Sequence, residues 1–145
     1  MEATDLPYWK TGRSSPDEWL RKAKSQIEQA GGEVVESGML MQHGREVVIL
    51  GFDLNGDTFR LMWPVLEHDP SDNQAAVRQA ATMLYHDVKA RCVAARVKGA
   101  RWAFHAELVL PDGRMAGDLS DGDLLKRLPA ICRQPLAITD TPPGE

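Results

Sequence analysis

Cysteine is nearly absent from this chain: Cys92 and Cys132 are its only two, and neither belongs to a Cys-x-x-Cys or a Cys/His cluster with metal-ligand spacing. A disulfide framework and a zinc site are therefore excluded as organising devices. No apolar run approaches the eighteen or so residues that a membrane span needs, and Met1 to Lys10 lacks the basic-then-apolar layout of a secretory signal. The chain reads as cytoplasmic, with no membrane partner. There is no Gly-x-Ser-x-Gly, and Gly31-Gly32 follows a helical pattern and precedes a strand pattern, the reverse of what a phosphate-binding loop requires. No nucleotide cofactor and no metal are implied, and no internal repeat is visible.

What remains is an ordinary globular composition. With 145 residues, 43% of them hydrophobic and 26% charged, the chain can bury one core. Ser15-Pro16-Asp17-Glu18 starts a helix, since Ser15 can cap, Pro16 suits the first helical position and Glu18 completes a capping box. Trp19, Leu20, Ala23, Ile27 and Ala30 recur at helical spacing until Gly31-Gly32 ends the segment. Val34 to Met41 reads as a first strand, and Gln42-His43-Gly44-Arg45 supplies turn chemistry before Val47 to Leu54. Asn55-Gly56 predicts a two-residue hairpin turn of the primed type, which sets Phe52 opposite Phe59, Leu50 opposite Leu61 and Val48 opposite Trp63 on one face.

Beyond a polar loop from Glu67 to Asn73, the spacing predicts a long helix from about residue 74 to 98, with Val77, Ala81, Leu84, Val88, Cys92 and Ala95 on one stripe. Trp102, Phe104, Ala106, Leu108 and Leu110 alternate, the period of a further strand, and Asp121 to Leu128 reads as a short C-terminal helix. The expected fold is thus α+β: helix, three-stranded antiparallel meander, long helix, further strand, short helix. Residues 1–13 form an N-terminal arm, 14–130 a single domain and 131–145 a flexible tail.

The segment Arg78-Gln-Ala-Ala-Thr-Met-Leu-Tyr-His-Asp-Val-Lys-Ala-Arg91, with Leu110-Pro-Asp-Gly-Arg114, resembles segments of small uncharacterised proteins of phages, prophages and bacterial genomes, over roughly residues 14 to 120. The resemblance implies a mobile-element origin and work on nucleic acid or on host defence. It brings no catalytic residues with it.

Charge supplies the candidate site. Residues 74 to 101 hold six basic residues against the single acid Asp87, a net of +5 that leaves the rest of the chain at −9. Along the helix, Arg78, Tyr85, Lys89 and Arg96 fall on a narrow stripe beside the apolar one, joined by Arg91 and Lys98 as further basic residues. Such a flank suits a phosphate backbone, with Tyr85 stacking on an unpaired base; the same residues also suit a solvated helix edge. The leading expectation is a non-enzymatic module that contacts nucleic acid or a nucleoprotein complex through this flank. Beside it stand two others: an inhibitor of a host defence complex that uses the acidic remainder of the surface, and a metal-dependent nuclease.

The element order resembles the core of many such nucleases, and also the β-β-β-α core of single-strand annealing proteins. The nuclease reading draws on Asp53 with Asp87 and Lys89, although Asp57-Thr58-Phe59-Arg60 stands where the usual D/E-x-K would be. His43, His68, His86 and His105 read as turn, surface or hydrogen-bonded residues rather than ligands. Tyr8 and Trp9 in the arm either anchor a second subunit in a homo-oligomer or fold back on the domain.

Overall fold

The computed structural model describes residues 1–118, so the short helix expected at Asp121 to Leu128, the tail and Cys132 lie outside the described residues. Helix α1 (Pro16–Gln29) starts where Ser15 Oγ accepts the Glu18 backbone N–H at 3.2 Å. It ends in a Schellman closure: the Gly32 N–H donates to the Ile27 carbonyl and the Gly31 N–H to that of Glu28, with Gly31 at φ +92°. Gly32 is fixed by contact, since a Cβ there would meet the Asp53 carbonyl oxygen at 2.9 Å and Ile27 Cγ2 at 2.7 Å. Gly32→Ala should therefore cost about 1–3 kcal/mol, read as a lower denaturant midpoint at unchanged slope.

Strands β1 (Glu33–Gln42), β2 (Arg45–Leu54) and β3 (Asp57–Pro64) form an antiparallel meander in the order β1-β2-β3. Both hairpins turn on two residues with positive φ, His43-Gly44 and Asn55-Gly56, the primed geometry whose twist suits the strands. The register across Asn55-Gly56 pairs Phe52 with Phe59, Leu50 with Leu61 and Val48 with Trp63, as the turn predicts. That face packs against α1 and the long helix α2 (Asn73–Lys98), whose Val77, Ala81, Leu84, Val88 and Cys92 complete the core. Among the described residues no helix is long and apolar enough to cross a membrane.

Burial pushes the Cys92 thiol up to about 11, against the opposing pull of the nearby Arg96 charge. With so little thiolate, Cys92 should resist iodoacetamide at about pH 8 in the folded chain and react once guanidinium unfolds it. Peptide mass spectrometry reads this at Cys92 separately from Cys132.

The predicted further strand over Arg101 to Leu110 is not formed. Gly99, at φ +99°, stops α2, and the chain re-enters helix as α3 (Ala100–Ala103), followed by a 3-10 turn at His105–Glu107. Backbone pairing with the sheet is confined to Leu108 and Val109, where the Val109 N–H donates to the Thr58 carbonyl at 2.9 Å. The alternation misled because positions 100 and 104, four apart, satisfy a helical period as well. Ala100 and Phe104 are buried and Trp102, half a turn away, is exposed, which no strand with one buried face would give.

The arm folds back. Ala3 is fully buried, its N–H donates to the Glu67 carbonyl at 2.8 Å, and the buried Gln79 amide donates to the carbonyls of Ala3 at 2.8 Å and Pro7 at 3.0 Å. Tyr8 stacks on His86 with ring centroids 5.1 Å apart.

Candidate binding surface

The basic stripe on α2 is one-sidedly covered, because α1 and the arm lie along it. Arg78 donates to the Gly12 carbonyl at 3.1 Å. Tyr85 packs on Trp19 of α1, ring centroids 5.2 Å apart, with Lys22 over the Trp19 ring at 4.4 Å, so its face is engaged inside the helix pair. Arg96 reaches the Gln29 carbonyl at the end of α1 at 3.4 Å while staying exposed. On the other flank Arg91 is held between Asp87 and Glu107. Burial pulls the Arg91 pKa down, but the two carboxylates outweigh it and the net direction is upward. Lys89 and Lys98 are exposed, and Lys98 lies over the Trp102 ring at 3.9 Å. Of the six residues, then, Lys89, Arg96 and Lys98 face solvent, while Arg78, Tyr85 and Arg91 hold the domain together.

Large apolar side chains are exposed in the same stretch of chain. Val93 (60% exposed), Val97 (78%) and Trp102 (62%) stand out at the C-terminal end of α2 and on α3. At about 100° per residue, Val93 and Val97 point away from the core stripe and share one face a turn apart. Trp102 is fixed outward by its neighbours: Ala100 and Phe104 bury the opposite side of α3, and Arg101 grips the Asp57 carboxylate with two bonds of 2.7 and 3.0 Å. The same grip holds the Asp57 carboxyl below its ordinary range. The sequence carried a sign of this surface, two β-branched apolar residues four apart on the wrong side of an amphipathic helix, which counting charges alone passes over.

The carboxylates of the nuclease reading are engaged apart from each other. Asp53 lies on the sheet face opposite α2 and accepts the Thr58 hydroxyl at 2.7 Å, whereas Asp87 pairs with Arg91 at 3.1 Å. Among the described residues no three His, Cys, Asp or Glu side chains come together as a metal-holding group. His68 is tied to the Leu66 carbonyl at 2.7 Å and to Asn73 Oδ1 at 3.0 Å, and His43 occupies its turn. The fold defines an α+β domain in which three strands carry a helical layer. Comparison with protein-family models, with curated proteins and with solved structures found no match.

Proposed function

We propose that the chain is a non-enzymatic binding module that holds another protein through the C-terminal end of α2 and α3. The observation that carries this reading is that Val93, Val97 and Trp102, three large apolar side chains within ten residues, are all exposed, as are the cations Lys89, Arg96 and Lys98 of the same stretch. Large apolar side chains left in water beside charged ones are a common mark of a protein contact, and tryptophan and arginine are among the residues that most often dominate one. The complementary partner offers an apolar recess edged by carboxylates. A host defence complex is one source of such a partner.

Nucleic acid is the second reading, favoured by Trp102 lying under Lys98, an aromatic and a cation at one spot. Three solvent-facing cations are few for it, since phosphate-driven affinity grows with the number of phosphates neutralised, and two valines offer nothing to a phosphate backbone. Fluorescence anisotropy of labelled DNA and RNA at two salt concentrations, run beside capture from lysate, separates the readings. The protein reading expects no salt-sensitive nucleic-acid binding and a stoichiometric protein retained by wild-type bait but lost with Val97→Asp. Tight, salt-sensitive binding of DNA or RNA that survives Val97→Asp would overturn it.

A further inference from the structure

Strand β1 is the open edge of the sheet: among the described residues nothing pairs with its outer side, whereas Leu108 and Val109 cover part of the β3 edge. Such an edge is a template for strand addition unless blunted, commonly by lysine or proline, and Glu33–Gln42 contains neither. The alternation of hydrogen-bonded pairs from the Gln42–Arg45 end turns the free N–H and C=O groups of Ser37, Met39 and Met41 outward. A bulge between Val34 and Glu36 limits the usable edge to its second half. There Met39 is 41% exposed and Met41 63%, unusual for methionines on a strand face that otherwise packs against helices.

We infer that β1 pairs antiparallel with β1 of a second copy of this chain, about a two-fold axis near Met39, to make a continuous six-stranded sheet. The uneven charge along the strand suits this occupant in the antiparallel sense. Glu33 and Glu36 lie in its first half, Glu36 already gripped by Arg60 of β3 at 3.0 and 3.1 Å, while Ser37 to Gln42 holds no charge. Antiparallel self-pairing sets each acidic half against the acid-free half of the other copy, with Gln42 opposite the partner's Glu36 and Met41 opposite the partner's Ser37. A parallel arrangement would align the acids. Because a two-fold interface is self-complementary, one strand supplies both sides. The edge is short, so the dimer is weak and concentration-dependent.

Analytical ultracentrifugation of the full chain over a concentration series tests this. The weight-average mass of the wild type is expected to rise from 16.1 kDa toward twice that value. Met39→Lys, which brings two like charges together at the axis, holds the mass at one chain with an unchanged thermal melt; Trp102→Ala dimerises like the wild type. Hydrogen exchange on the wild type needs no variant: the amides of Ser37, Met39 and Met41 slow as concentration rises. A one-chain mass at every concentration, or a dimer that survives Met39→Lys or is lost with Trp102→Ala, overturns the inference.

Discussion

Phe104→Ala is expected to lower the unfolding free energy by about 3–5 kcal/mol, whereas Trp102→Ala, two residues away, is expected to change it by less than about 0.5 kcal/mol. Phe104 is fully buried, edge-on to Phe52 at 5.1 Å and tilted against Phe59 at 5.7 Å. Removing it opens a void beneath the Asn55-Gly56 hairpin, where neither aromatic neighbour can collapse without breaking strand register. It also releases the pin that brings Leu108 and Val109 to the β3 edge. Trp102 leaves most of its surface in water and meets the Lys98 ammonium, so its loss exposes little that was covered. The contrast is diagnostic: were residues 101 to 110 a strand, both rings would point to one face and cost similar amounts. Urea titrations with unchanged slopes read the difference directly.

Binding should show the reverse order. Trp102→Ala is expected to weaken capture of the protein partner by about 30-fold or more, the effect of losing roughly 2 kcal/mol at an interface hot spot. Val97→Asp should abolish it, because a carboxylate would be buried without a partner against an apolar recess. Phe104→Leu keeps the volume better, at a cost below roughly 2 kcal/mol, and should leave the affinity of the folded fraction unchanged. A titration in which Trp102→Ala binds as tightly as wild type would remove α3 from the surface.

Much of the fold is written locally. Ser15, Pro16 and Gly31-Gly32 mark both ends of α1, and Asn55-Gly56 dictates the β2–β3 register, because each acts through neighbours a few residues away. Segment 100–107 was illegible because apolar residues two apart include residues four apart, and only the space between Phe52 and Phe59 decides that Phe104 enters alone. The packing of the candidate flank was hidden for a related reason. Periodicity places Arg78, Tyr85 and Arg96 on one flank of α2, but nothing local tells which flank α1 will cover, a choice made by contacts such as Trp19 with Tyr85. Gln79 shows the same limit: it lies off the apolar stripe and is buried only because the arm returns over it.

Site-specific photo-crosslinking from position 97 tests the protein-binding surface most directly. With a benzophenone side chain in place of Val97, and the same group at Thr58 on the far face of the sheet as control, illumination in lysate should give one discrete protein adduct from position 97 and none from position 58. Adducts only to nucleic acid, or the same protein adduct from both positions, would contradict the account.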